Sequence, residues 1–447
     1  MKLVYDVNDK PKFGQMLIFA FQQLLAILAA TIAVPSIIGN GMSQSAALFG
    51  AGAGTIIYLL FTKFKSPVFL GSSFAFIGSM FAAFAGAASI EAGYLGLLFG
   101  ALFAGLVYVI IAIVVKFAGV NWISKLMPSV VIGPTVAIIG LSLAGNAVGD
   151  VLKFASYDAA NSVYVMNAHG WVGFICAIVT VVFVIISSVY GKKFLKLIPF
   201  IIGILAGYIV ATIFTLIGKS TGNEALMVID FSIFQNMQWY PDFTFLKAFR
   251  GIDTITPQYI ATVAVAYIPV AFVVFAEHIA DHKNLSTIIG QDLLENPGLS
   301  RTLLGDGVGS FAGSIFGGCP NTTYGESVGC VAVTGNASVV TILATAVLAI
   351  AISFFGPFVT LLASIPNCVM GGVCITLYGF IAVSGLKMIQ GVDFNDNGNL
   401  FVAATILITG IGGLSLTFGK VTLTSIACAL ILGIIVNLIV NTKKKED

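Results

Sequence analysis

Of the nineteen acidic residues, sixteen read as lying in termini, loops or interfacial stretches, while Glu277, Asp281 and Glu326 fall inside apolar runs. A carboxylate near the centre of a bilayer costs on the order of 3 kcal/mol, so its presence points to a polar cavity, a proton path or a ligand contact. No lysine or arginine lies within the runs that hold Glu277 and Glu326, and removal from water without a cation favours the neutral, proton-bound form of a carboxyl. Such groups can grip a hydrogen-bond donor and exchange a proton. Glu277 and Asp281 are four residues apart, on one helical face, where protonation of one alters the other. For Asp281 alone, a hydrated helix end beside His282 and Lys283 is the competing reading.

His278 and His282 share the i, i+4 spacing of zinc helices, but Ile279 stands where the glutamate of that motif belongs and no third ligand is apparent, so no metal is expected. Cys176, Cys319, Cys330, Cys368, Cys374 and Cys428 have neither zinc-site spacing nor disulfide density and read as small core residues. His169 reads as a loop residue. Asn321-Thr322-Thr323 matches a glycosylation triplet but lies in the membrane region. No nucleophile with a neighbouring base and no cofactor loop is present, so an enzyme is not supported.

Glu326 belongs to "GCPNTTYGESVG", Gly318 to Gly329, a segment too rich in proline, glycine and hydroxyl residues for an ordinary span. "PVFLGSSFAFIGS", from Pro67, has the same character. Gly/Pro-interrupted segments at corresponding places of two halves mark a transporter's binding site, where half-helix N-termini expose backbone N–H groups. Close-packed Gly/Ser helices without a ligand are the alternative.

The elements that must position these residues follow from composition. The chain has 447 residues, 58% of them hydrophobic and only 9% charged, against about 25% charge in soluble domains. It is read as an all-α polytopic membrane protein. The apolar run from residue 13 to 34 is too long for a signal segment and reads as the first membrane helix. Fourteen segments are expected, near 13 to 34, 44 to 62, 68 to 87, 94 to 115, 128 to 147, 171 to 190 and 197 to 218, then 257 to 278, 303 to 318, 321 to 335, 338 to 360, 367 to 386, 399 to 416 and 421 to 441. The two interrupted segments are third in each set of seven. With both termini cytoplasmic, Lys153, Lys219, Lys247, Arg250 and Lys420 lie outside and the other sixteen of the 21 basic residues inside, the bias that cytoplasmic loops carry. The net charge of +2 does not indicate a partner, and no nucleic acid is expected.

"GSSFAF" at Gly71, "AEH" at Ala276, "PNTTYGE" at Pro320 and the pattern Glu326-x-x-Gly329-x-x-x-x-Thr334 together resemble the nucleobase–ascorbate transporter family, specifically its bacterial uracil permease branch, over nearly the whole chain. The resemblance implies two inverted repeats of seven segments, with short extended strands interrupting segments 3 and 10. It implies a core domain from residues 1–120 and 257–364, a gate domain from residues 121–256 and 365–447, dimerisation through the gates, and a bacterial cytoplasmic membrane. It further implies that Phe74 stacks on a base, Glu277 and Glu326 grip it, Tyr324 and Gly325 present backbone N–H groups, Ala30 lines the pocket and Tyr378 closes it from the gate. The implied activity is proton-coupled import of uracil without a cofactor, with Glu277 and Asp281 carrying the coupling and sodium as the other candidate ion. Uracil's two N–H donors, two carbonyls and flat face suit such a site. Three positions depart from the family's pattern: Gln23, where many relatives have histidine; Asp281, where some uracil carriers have histidine; and Gly335, where purine carriers often have arginine. A purine carrier of the same family is the main alternative. An anion carrier of related fold is disfavoured, because unpaired carboxylates repel an anion.

Overall fold

The computed structural model describes residues 3–119, 121–192, 194–418 and 421–443. Lys2, Lys193, Lys420, Lys444 and Lys445, which enter the charge distribution, lie outside the described residues.

The first half runs through α1 (Phe13–Ile38), α2 (Gln44–Phe61), β1 (Leu70–Ser72), α3 (Ile77–Ala85), α4 (Ile90–Ala118), α5 (Asn121–Leu126), α6 (Ser129–Ser142) and α7 (Ala144–Val151). A hairpin of β2 (Ser156–Asp158) and β3 (Val163–Val165) leads to α8 (Ala168–Tyr190), α9 (Phe194–Leu197), α10 (Pro199–Thr221) and α11 (Thr244–Ala248). The second half comprises α12 (Pro257–Ile289), α13 (Leu299–Gly317), β4 (Asn321–Thr323), α14 (Gly325–Thr334), α15 (Val339–Ile352), α16 (Gly356–Ala363), α17 (Asn367–Met388) and α18 (Asn397–Ile411). It ends with the hairpin of β5 (Leu416–Phe418) and β6 (Val421–Leu423), then α19 (Ser425–Lys443).

Each expected segment contains helix, but not always one straight span. Among the described residues, eight helices are long and apolar enough to cross a membrane, or nine if α15 and α16 are counted as one bent span. The segment expected over 338 to 360 turns by 82° between those two helices. Gly356-Pro357 opens α16, and a proline there has no N–H with which to extend α15. The segment expected over 399 to 416 stops as helix at Ile411, and Leu416 already pairs in the β5–β6 hairpin.

The two unusual segments break as their residue types require. Gly318 ends α13 at φ +74°, a left-handed conformation that favours glycine. Pro320 and two β-branched threonines then hold the chain extended. β4 crosses β1 antiparallel, with Leu70 opposite Thr323, Gly71 opposite Thr322 and Ser72 opposite Asn321. At Gly71 a Cβ would collide with the Tyr324 ring, so glycine there lets the strands meet.

This crossing is held against a tight helix pair. α13 packs along α2 and α4, α12 on α4, and α15 on α1 and α2. At Gly54 an added Cβ would come within 2.6 Å of both Gly309 O and Asn321 Nδ2, so backbone meets backbone where α2 and α13 cross beside β4. A second group packs α10 on α8, α17 on α6, α7 and α8, and α18 on α6 and α19. The two groups touch where α12 meets α6 and α19, and where α1 meets α10 and α17.

Candidate functional site

The strand crossing opens onto a cavity of about 450 Å³. Six of the expected site residues line it: Glu277 and Asp281 from α12, Phe74 from the stretch between β1 and α3, and Tyr324, Gly325 and Glu326 where β4 becomes α14. Glu326 lies in the first turn of α14, whose opening N–H groups have no carbonyl one turn back to bond and favour negative charge. Asp281 is not merely hydrated at a helix end. Its Oδ2 accepts a hydrogen bond from Thr323 Oγ1 at 2.6 Å, which ties α12 to β4.

The structure places four residues differently from the expectation. Ala30 is buried at 1% exposure and is not among the cavity-lining residues; Ala26, one turn earlier on the same face of α1, takes that place. Tyr378 also lies behind the wall, 2% exposed, and meets Phe74 edge-on with ring centroids 6.1 Å apart. Its neighbours Leu377, Phe380, Ile381 and Ser384 on α17 line the cavity instead. The backbone N–H of Tyr324 is used inside the protein, donating to Phe69 O at 3.3 Å, because the strand pairing continues past Thr323. The N–H groups without an intrahelical carbonyl begin with the first turn of α14, at Gly325. Finally, Asp306 is a fourth carboxylate within the apolar region rather than an interfacial one: it lies in α13 with 0% exposure.

Asp306 pairs with His278, whose Nδ1 lies 2.7 Å from its Oδ2, while His278 Nε2 lies 3.0 Å from Thr302 Oγ1. His278 and His282 stack at 4.0 Å, and His282 Nε2 lies 2.7 Å from Tyr58 OH. These partners bind the α12 imidazoles to α2 and α13 on the side away from the cavity. The signal for Asp306 was present in "GDG", residues 305 to 307, within a segment expected to be helical.

Gln23 and Gly335 have structural explanations. Gln23 Nε2 donates to Ser327 Oγ, which also accepts from Phe69 N at 3.3 Å, so the Ser327 hydroxyl joins α1 to both interrupted segments. Gly335 caps α14 at φ +69°, where a larger side chain such as arginine is strained. Its carbonyl accepts from Val4 N at 2.8 Å. The cysteines are all buried and free. On the cavity's far side, Lys196, Ser188 and Phe200 join α17 in the lining. Lys196 is the one basic residue among the described lining residues, and the short helix α9 that holds it has no sequence signal beyond its charge.

The site therefore offers carboxylate acceptors, open backbone donors and an aromatic ring around one space, a set suited to a flat, polar, uncharged ring. The Permease family matches residues 14–418. The uracil permease of Bacillus caldolyticus is 38% identical over 441 residues, covering 98% of this chain and 95% of the relative. That of Bacillus subtilis (strain 168) is 37% identical, covering 100% and 97%, and that of Escherichia coli (strain K12) 32% identical, covering 97% and 93%. Among solved structures, the transmembrane domain of a cyanobacterium bicarbonate transporter, BicA, matches with a TM-score of 0.66 at 16% identity, covering 97% of this chain and 99% of that one. The murine Slc26a9 anion transporter in its inward-facing state gives 0.66 at 13% identity, covering 98% and 69%. At such identity these two bear on the fold alone. The family match and the full-length relatives show that this chain belongs to the Permease family, as a nucleobase–ascorbate transporter on the branch of its uracil permease relatives, and is a transporter rather than an enzyme.

Proposed function

We propose that the protein is a proton-coupled symporter that imports uracil, or a close pyrimidine, across the bacterial cytoplasmic membrane. The observation that carries this reading is the common cavity of Glu277, Glu326, Phe74 and the start of α14. The carboxylates accept the ring's N–H groups, the Gly325 N–H donates to a carbonyl, and Phe74 covers the flat face. The uracil permease relatives support the pyrimidine.

Fourteen membrane segments in two inverted repeats agree with the antiparallel crossing of β1 and β4, each third in its half. The packing groups around α13 and around α17 support a core of residues 1–120 and 257–364 moving against a gate of residues 121–256 and 365–447, with the gates joining two protomers. Lys196 and Met388 line the cavity close to loops whose lysines suit the cytoplasm, which supports cytoplasmic termini and an inward-facing arrangement. Glu277 carries the coupling proton and Asp281 modulates it; no cofactor takes part. Sodium is the alternative ion.

A cavity of about 450 Å³ also has room for a bicyclic base, so a purine is the second reading. Competition with labelled uracil uptake separates them. Uracil and close pyrimidines should compete, and xanthine or guanine outcompeting uracil would replace the pyrimidine reading.

A further inference from the structure

We propose that Ser73 and Thr322 form a hydroxyl wall of the cavity that donates hydrogen bonds to a carbonyl oxygen of the bound ring. They thereby read its acceptor edge, while Glu277 and Glu326 read its N–H donors. This rests on the nucleobase reading above and adds two specificity-determining residues to it.

Both residues line the cavity. They are 1% and 2% exposed, and neither hydroxyl has a hydrogen-bond partner among the described residues. Buried side-chain polar atoms are mostly paired in folded proteins, so two unpaired hydroxyls beside one cavity suit a site completed by a ligand.

Strand register puts them on one side. Gly71 stands opposite Thr322, and side chains alternate along a strand. Gly71, Ser73, Thr322 and Tyr324 therefore share one face, while Leu70, Ser72, Asn321 and Thr323 share the other. On the second face two polar side chains are already used: Asn321 Nδ2 donates to Gly50 O at 3.1 Å, and Thr323, which also lines the cavity, donates its hydroxyl to Asp281 at 2.6 Å. Ser72 Oγ on that face is also unpaired, but it lies against the Cys319 thiol and does not line the cavity. Ser73 and Thr322 are diagonal neighbours, whose Cβ atoms stand about 7 Å apart or slightly less. That spacing admits one carbonyl oxygen between two hydroxyls. Carboxylates are acceptors when ionised and supply at most one donor each when protonated, so the ring's two carbonyls are left to neutral donors: the first turn of α14 and these two hydroxyls.

The test is equilibrium binding of uracil, 2-thiouracil and 4-thiouracil to the purified full-length protein, because sulfur is a weaker acceptor than oxygen. Ser73→Ala and Thr322→Val should each weaken uracil binding about 2- to 10-fold, the range of one ordinary hydrogen bond. Thr322→Ser, which keeps the hydroxyl, should bind like the parent. The parent should also discriminate against one of the thio bases, and Ser73→Ala and Thr322→Val should lose that discrimination. Ser73→Ala removes one oxygen and carries the test by itself if Thr322→Val fails to fold. Variants that keep both the parent's uracil affinity and its discrimination would overturn the hydroxyl wall and leave the transporter reading standing. A parent that binds none of the three bases would overturn the pyrimidine reading itself.

Discussion

Glu326 and Phe74 show what residue type alone can reveal in a membrane protein. A carboxylate in an apolar run is an anomaly on any hydropathy scale, and for that reason Glu277, Asp281 and Glu326 were legible from sequence. Glu326→Gln keeps the shape but replaces one carboxyl oxygen by a donor amide, which cannot accept the ring's N–H. A buried donor left without its partner costs about 1–3 kcal/mol, so uracil binding to this variant should weaken roughly tenfold or more, as equilibrium binding will read. Phe74→Ala removes a stacking face, which costs about 1–3 kcal/mol per base in single-strand recognition; Phe74→Tyr should be mild. Unchanged binding by Phe74→Ala would assign that ring to packing against Tyr378. Neutral lining residues gave no such anomaly. Ala26 in place of Ala30 is a matter of depth along one face of α1, and Leu377, Phe380 and Ile381 in place of Tyr378 one of helix rotation; an all-round apolar sequence encodes neither. Asp306 escaped for another reason. It stands near the start of the segment expected over 303 to 318, where a carboxylate reads as interfacial, and its burial and pairing with His278 depend on how α13 packs against α12.

At the scale of elements, the interrupted segments were legible because proline and glycine interrupt a helix wherever they fall. Their antiparallel crossing was not, since register depends on two segments some 250 positions apart meeting in space. The 82° bend between α15 and α16 was hidden in an apolar run whose one mark was Gly356-Pro357. Tight glycine packing between α2 and α13 makes a test of how far the site depends on its scaffold. Gly54→Val places carbon against Gly309 O and Asn321 Nδ2, each at 2.6 Å from an ideal Cβ. Overpacking of this kind costs about 1–3 kcal/mol, and it would also displace Asn321 at the foot of β4. The variant should show a lower thermal midpoint in detergent together with weakened uracil binding. A lower midpoint with full binding would uncouple the helix pair from the site.

For the whole molecule, the proposed cycle needs a carboxylate that is protonated on one side and releases its proton on the other while the base remains bound. Glu277→Gln mimics the protonated state permanently. It should retain base binding or exchange between two pools of uracil but lose accumulation against a gradient. The most direct measurement is uptake of labelled uracil into proteoliposomes, with an imposed inside-alkaline pH gradient and without one, for the parent and Glu277→Gln side by side. In the parent, uracil should accumulate above equilibrium only while the gradient lasts and fall back when a protonophore collapses it, whereas Glu277→Gln should only equilibrate. Parent uptake indifferent to the gradient, or equal accumulation by Glu277→Gln, would contradict proton coupling through this carboxylate.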